Sequence, residues 1–181
     1  MKKSMPQSRK LFLAIVFTLI FNSSAQAAGI PGWMLHPSYM KAAEEEKDIT
    51  LIRIFASVIY GEAAGEPFEG QKAVAVAFIN RWKNPRHRYG HYLVEVLAKG
   101  SAAFYTQSPQ YRKAWTQDLN GYERIIYNRI ERYCEALLKG SEELFHTGTH
   151  FEYIEAYGVP DWAPSMEVIG KYGNHTFYKE K

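Results

Sequence analysis

Two glutamates four residues apart are the residues of this sequence best suited to acid–base chemistry. Glu62 and Glu66 lie in the stretch Tyr60-Gly61-Glu62-Ala63-Ala64-Gly65-Glu66. Glu62 follows Val58 by four residues and Ile59 by three, so it projects from the end of an apolar helical stripe. Partial burial there disfavours the ionised carboxylate and keeps a proton available for transfer. The pattern therefore predicts that Glu62 acts as a general acid.

The sequence alone leaves two alternatives for the position and role of Glu66. If the helix continues, a spacing of four residues puts Glu66 on the same side as Glu62, where it could contact a substrate. Gly65 lies between them and can interrupt the helix. In that case Glu66 would be a structural acceptor that holds the loop.

Hydrophobic periodicity predicts the helices that position these carboxylates. Apolar residues at helical spacing predict a helix that begins near Thr50, is capped by Thr50 or Asp48, and ends near Gly61 or one turn later. A second helix is predicted from Glu69 to Trp82, with small residues that allow close packing against the first. Further helices are predicted at 92–97 and 122–138, whereas 100–111 has an irregular pattern.

The C-terminal part has a different composition. Residues 145–156 have the β-forming composition of a hairpin or an extended segment, 160–164 form a proline-held loop, and 170–178 are spaced by glycines. The sequence therefore predicts a mainly α fold (α+β class) with a small β-hairpin or extended C-terminal part.

The N-terminus predicts export. Four basic residues precede the apolar run Leu11–Phe21, and Ala25-Gln26-Ala27 is a small-residue cleavage site. The run is shorter than the roughly 20 residues that cross a bilayer, so we expect no stable membrane insertion after signal cleavage. The predicted organisation is a signal peptide (1–27), an N-terminal tether (28–48) and a catalytic domain (49–181). The expected location is the periplasm or the exterior.

Charge and cysteine content narrow the possible partners. The chain has 22 basic and 19 acidic residues, but the first 27 residues hold four of the basic ones and no acidic one. The remainder is nearly neutral, so its charge gives no reason to expect nucleic acid as a partner. Cys134 is the single cysteine and lies in an apolar-periodic stretch, where a buried thiol is expected. The sequence does not predict an oligomeric state.

Three segments in order resemble the SleB-like cell-wall hydrolase family, named for enzymes that open the spore cortex. They are Val58 to Val76 followed by Asn80-Arg81, then Thr149-His150-Phe151 before Trp162-Ala163, and finally Gly173 to Tyr178. The resemblance spans about Leu51 to Tyr178. Two departures stand out: the family often has Arg where this chain has Ala64, and its Gln-Phe-Ser stretch is not recognisable around Ala103-Phe104-Tyr105.

The resemblance implies a lysozyme-like, lytic-transglycosylase-like helical domain that acts on peptidoglycan without a cofactor or metal. The family's catalytic glutamate falls on Glu62. A transglycosylase needs a single carboxylate, which first protonates the bond between N-acetylmuramic acid and N-acetylglucosamine and then accepts the proton of the muramic 6-hydroxyl. The resemblance also suggests that His150 and His175 line the groove. Their role would be to hydrogen-bond the sugar or peptide of the substrate, or to order Tyr178. Two purely structural histidines remain the alternative.

Aromatic and basic residues supply further candidates. Tyr153, Tyr157 and Trp162 surround the Pro160 loop, where an aromatic face could stack on a sugar ring, although core packing is an equal alternative. The predicted substrate-binding residues are therefore Glu66, His150, Tyr153, Trp162, His175 and Tyr178. A basic cluster (Arg81, Lys83, Arg86, His87, Arg88) is expected to form a solvated loop, with contact to acidic stem peptides as the alternative.

Two other function classes compete with the glycan-cleaving enzyme. His146 and His150 are four residues apart, a spacing that can bind zinc on a helix, and a zinc-dependent amidase or peptidase would use them. His146 is followed by Thr147-Gly148-Thr149 rather than by the metalloprotease glutamate, which speaks against this reading. A non-catalytic wall-binding module is the third class. A Glu62→Gln variant separates it from an enzyme, because only an enzyme would lose wall cleavage.

Overall fold

A computed structural model describes residues 36–46 and 48–181. The described chain is mainly helical and ends in a small antiparallel sheet, which confirms the predicted mainly α, α+β class. The helices are α1 (Pro37–Glu46), α2 (Ile49–Ala63), α3 (Phe68–Trp82), α4 (Leu93–Gly100), α5 (Ala102–Thr106), α6 (Pro109–Thr116), α7 (Gly121–Lys139) and α8 (Ile154–Tyr157).

Helix α2 forms the centre of the core. Apart from the exposed Ile49, its apolar residues are almost fully buried, and it packs against α3, α6 and α7. Asp48 caps its first turn by accepting a hydrogen bond from the Thr50 N–H at 2.6 Å, so Asp48 is the cap rather than Thr50. The helix reaches Ala63, one residue past Glu62, as the periodicity predicts. Glu62 therefore lies in the last turn of a largely buried helix.

The sheet consists of β1 (His150–Glu152), β2 (Met166–Tyr172) and β3 (His175–Glu180), in the order β1-β3-β2. Both pairings are antiparallel, and His150 lies opposite Tyr178. Strands β2 and β3 form a hairpin within the C-terminal part, in the region that the sequence described only as spaced by glycines. The prediction for 145–156 was partly wrong, because only three of these residues form a strand and the short helix α8 follows.

The stretch 100–111, predicted as irregular, instead contains α5 and the start of α6. Two serines explain the difference, since Ser101 and Ser108 each cap a short helix through the side-chain oxygen. Gln107 in the left-handed conformation (φ 56°) separates the two helices. Serine caps without a long apolar stripe leave little periodicity in the sequence.

Part of the predicted tether is folded, because α1 lies within 28–48 and buries Met40 and Ala43 in the core. The predicted signal peptide (1–27) and the first part of the tether lie outside the described residues. Cys134 is buried, as expected. Across the described residues, no helix is long and apolar enough to cross a bilayer.

Candidate active site

The described residues form a cleft of about 400 Å³ between the end of α2, the α4–α5 region and the sheet. Helix α2 contributes Gly61 and Glu62, and the strands contribute Phe151, Glu152 and His175. The remaining wall contains Arg81, Gly100, Ala102, Ala103, Thr106, Ser108 and Tyr157. Two predicted site residues, Glu62 and His175, thus meet in one cleft although 113 residues separate them in sequence.

Glu62 is held by two donors on one side-chain oxygen. The Ser101 hydroxyl donates to Glu62 Oε1 at 2.5 Å, and the Ala103 N–H donates to the same atom at 2.7 Å. No described residue donates a hydrogen bond to Oε2. In a carboxylic acid the carbonyl oxygen accepts and the other oxygen carries the proton. This pattern of partners therefore leaves Oε2 as the oxygen that can hold a transferable proton.

The wall beside Glu62 depends on close approach of the backbone. Ser101 is 2% exposed, and its Oγ also accepts from the Phe104 N–H at 3.0 Å. A Cβ added at Gly61 would lie 2.8 Å from Ala103 Cβ and 2.9 Å from Tyr111 Cβ. Glycine at position 61 thus allows α5 and α6 to pack against α2 where the Glu62 carboxylate meets its donors.

His175 is another ionisable side chain that lines this cleft. It is 8% exposed, and its Nδ1 lies 3.8 Å from Glu66 Oε1 without a hydrogen-bond partner among the described residues. Burial lowers the pKa of His175 from its ordinary value, against the opposing effect of the negative charges of Glu66, Glu62 and Glu152. His175 is therefore mainly neutral at neutral pH and can either accept or donate a hydrogen bond.

Arg81 is a buried structural cation and does not belong to the predicted solvated basic loop. Its Nε donates to the Thr149 carbonyl at 2.5 Å and its Nη1 donates to the Gly100 carbonyl at 2.8 Å. Burial lowers the pKa of Arg81 to about 10, so it remains charged at neutral pH. Arg81 thus ties α3 to the residue before β1 and to the end of α4. The sequence predicted that Arg81 is solvated because it lies in a basic cluster, and its carbonyl partners, at Gly100 and Thr149, are remote in the chain.

Glu66 faces the β2–β3 turn. Its Oε2 accepts from the Asn174 N–H at 2.7 Å and its Oε1 accepts from Asn174 Nδ2 at 3.2 Å. The side chain is 8% exposed and does not line the cleft. Gly173 (φ 61°) allows this contact, because a Cβ there would lie 2.4 Å from Glu66 Oε2. Of the two alternatives for Glu66, the geometry favours the acceptor that holds the loop.

The other predicted site residues lie around β1 and β3 but not in the cleft wall. His150 packs beside Trp162, with ring centroids 5.3 Å apart, and Trp162 meets Tyr178 edge to face. Burial lowers the pKa of His150 and raises that of Tyr178. Tyr153 is half-buried, and its ring centroid lies 6.1 Å from that of His175.

Sequence reasoning missed one ionisable residue that lines the cleft. Glu152, at the end of β1, brings a second carboxylate to the cleft of Glu62. Among the aromatic residues about the Pro160 loop, Tyr157 lines the cleft: it is 80% exposed and offers an aromatic face there, whereas Trp162 packs on neighbouring rings. Glu152 had no signal of its own, since it follows the Thr-His-Phe segment in a stretch that the sequence described only as β-forming.

The zinc alternative does not fit His146. Its Nε2 lies 2.9 Å from the Ala73 carbonyl, and its Nδ1 accepts from the Gly148 N–H at 3.0 Å. Both ring nitrogens are therefore engaged in the neutral form, with Nε2 carrying the proton. Among the described residues, no group of three His, Cys, Asp or Glu side chains is arranged to hold a metal ion.

The family model described as Cell Wall Hydrolase matches residues 65–178. A spore cortex-lytic enzyme of Bacillus subtilis (strain 168) is 53% identical over 34 residues, which make up 19% of this chain and 11% of that enzyme. The chain thus matches only about a tenth of the length of that relative. No solved structure gives a significant match, so the expected likeness to lysozyme remains a prediction.

The matched family span covers α3, α7 and the sheet except the last two residues of β3, together with most of the cleft wall. It begins three residues after Glu62, so the catalytic assignment of Glu62 remains a prediction. The match covers well over half of the chain and agrees with the resemblance of the three sequence segments. The chain therefore belongs to the Cell Wall Hydrolase family.

Proposed function

We propose that this protein cleaves the glycan strands of peptidoglycan, with Glu62 as the general acid. The observation that carries the proposal is the pair of donors on Glu62 Oε1 beside an open cleft, which leaves Oε2 for the proton. The family match supports a polymer of the cell wall as the substrate class. The resemblance of the Glu62 segment to the family's catalytic motif supports the choice of residue.

The proposed reaction is lytic transglycosylation. Glu62 donates its proton to the oxygen that joins N-acetylmuramic acid to N-acetylglucosamine, and the bond to the muramic anomeric carbon breaks. The muramic 6-hydroxyl oxygen then bonds to that carbon. Glu62, now ionised, takes the hydroxyl proton and returns to its starting state. The second product ends in a 1,6-anhydro ring, and no water is consumed.

Other residues of the cleft have proposed supporting parts. Ser101 and the Ala103 N–H fix the orientation of the Glu62 carboxyl group and stabilise the carboxylate that forms after proton transfer. Tyr157 offers an exposed ring on which a sugar can stack. His175, mainly neutral and short of a partner at Nδ1, can hydrogen-bond a sugar hydroxyl or acetamido group. Tyr153, His150, Trp162 and Tyr178 support the walls behind these groups.

Hydrolysis by water is the second candidate, and Glu152 is the observation that favours it. A muramidase pairs its acid with a second carboxylate that acts as a base or a nucleophile. Glu152 lines the same cleft as Glu62, so it could deprotonate a water molecule. The zinc-dependent amidase is disfavoured by the two engaged nitrogens of His146.

Product analysis on purified peptidoglycan distinguishes these reactions. Mass spectrometry of the soluble fragments is expected to find anhydromuramic ends with the wild-type protein. Glu62→Gln should release almost none, whereas the matched control Glu69→Gln, at an exposed position on α3, should behave as wild type. Reducing muramic ends that disappear with Glu152→Gln would instead establish hydrolysis. Undiminished cleavage by Glu62→Gln would refute the assignment of the acid.

We also propose that residues 1–27 are removed and that the mature protein acts in the periplasm or outside the cell. Support comes from the charged start, the apolar run and the small-residue site of the N-terminal sequence. The intact mass of the protein recovered from the exported fraction should correspond to a chain that begins at Ala28. Recovery of the uncut chain in the membrane fraction would show an anchor instead.

A further inference from the structure

A second pocket lies between α3 and α7 and shares no residue with the cleft. Its volume is about 290 Å³. It combines three cations, two aromatic rings and one carboxylate, and we call it the basic pocket: Phe68, Lys72, Arg129, Arg132, Tyr133 and Glu142. The match to the family model does not assign a function to this pocket.

The cations of the basic pocket lack acidic partners. Within the described residues, no carboxylate oxygen lies within 4.0 Å of the charged nitrogens of Lys72, Arg129 or Arg132, although Glu142 lines the same pocket. The guanidinium of Arg129 stacks 4.4 Å from the centroid of the Phe68 ring. Its Nη2 donates to Gln71 Oε1 at 3.3 Å, and its Nε has no partner. Three cations against one carboxylate leave an excess of positive charge and unused donors.

Aromatic rings contact two of these cations, Lys72 and Arg129. Lys72 Nζ lies 5.6 Å from the centroid of Phe68 and 6.0 Å from that of Tyr133. Such contacts stabilise a cation without neutralising its charge. The pocket is therefore organised for an anionic group that carries some apolar surface. Its volume suits one amino-acid residue rather than a polymer chain.

The pocket is connected to the loop that follows Glu62. Gln71 accepts from Arg129 and donates through Nε2 to the Glu66 carbonyl at 2.9 Å. The two oxygens of a carboxylate match the planar fork of an arginine. We infer that the basic pocket binds a carboxylate of a peptide stem of peptidoglycan, outside the cleft in which the glycan is cut. This inference rests on the proposed function.

The test is a binding titration of the full mature chain with a free stem tetrapeptide. The peptide should bind with a dissociation constant in the micromolar to millimolar range, and blocking its carboxylates as amides should abolish binding. Arg132→Gln and Lys72→Met should each weaken binding by about fivefold or more, because each removes one cation. Arg112→Gln removes an exposed cation on α6, outside the basic pocket, and should leave the affinity unchanged. Thermal unfolding of each variant verifies the fold.

The inference would be overturned by equal binding of the amidated peptide, by full affinity in both pocket variants, or by tighter binding of inorganic phosphate than of the peptide. The last would assign the pocket to a phosphate-bearing polymer. Cleavage of peptidoglycan without any binding of the peptide would refute the role proposed for the basic pocket and leave the proposed function intact. Peptide binding by a chain that never cleaves glycan would refute the proposed function.

Discussion

The two ends of the loop between α2 and α3 hold the same side chain in different surroundings. Glu62 faces a cleft and takes both its hydrogen bonds on one oxygen, whereas Glu66 has both oxygens engaged by Asn174. Glu62 is therefore equipped to exchange a proton, and Glu66 to hold the hairpin against α3. The comparison shows that remote partners, rather than residue type or spacing, decide what each carboxylate does.

The largest expected effect is on the rate of glycan cleavage in Glu62→Gln. Loss of a general acid lowers a rate by about 10²–10⁴-fold. The glutamine oxygen can still accept from Ser101 and from the Ala103 N–H, so the free energy of unfolding should change little. Initial rates on purified peptidoglycan and urea unfolding measure the two quantities. If Glu62→Gln lost enough stability to explain its lost activity, Glu62 would be a structural residue like Glu66 and not a general acid.

Glu66→Gln is expected to show the opposite pattern. The amide loses charge-assisted hydrogen bonds from Asn174, and its NH₂ group meets an N–H donor, which together destabilise the fold by about 1–3 kcal/mol. The variant should keep most of its cleavage rate at temperatures where it is folded. Urea unfolding and initial rates check both points. A normal stability combined with a rate as low as that of Glu62→Gln would make Glu66 a catalytic residue.

Ser101→Ala tests the donors that distinguish Glu62. Removal of one hydrogen bond to the carboxyl group should slow cleavage by about tenfold, since a single hydrogen bond contributes about 1 kcal/mol or more. Stability should also fall, because the Ser101 side chain caps α5. Ser108→Ala removes a similar cap from α6 without touching Glu62 and is the matched control. Equal losses of rate in both variants would assign the effect to capping alone.

The smallest expected effect is a loss of stability in weak acid. Burial lowers the pKa of His146, His150 and His175 below their ordinary value of 6.5. The unfolded chain therefore binds these protons at higher pH than the folded chain. The stability is fully present above about pH 6.5 and is lost as the pH falls through the lower folded values. Unfolding in urea at a series of pH values measures the slope, and a flat profile would contradict the shifts.

The sequence predicted the helices that carry the two glutamates but could not predict their partners. The apolar periodicity of α2, α3 and α7 is local and strong, so their ends were placed to within one or two residues. Ser101 lies 39 residues from Glu62, and Asn174 lies 108 residues from Glu66. The first pairing follows from the packing of α5 against α2 and the second from the packing of the sheet against α3, and no local pattern specifies either. For the same reason Glu152 was missed and Arg81 was assigned to a solvated loop.

A structure of the Glu62→Gln protein with a peptidoglycan-derived tetrasaccharide tests the central claim most directly. The account predicts that the sugar chain lies in the cleft, with the oxygen between muramic acid and glucosamine about 3 Å from the side chain at position 62. Glu66 should remain bonded to Asn174 without touching the sugar. A sugar chain bound elsewhere, or one whose bridging oxygen faces Glu66, would contradict the assignment of Glu62 as the general acid.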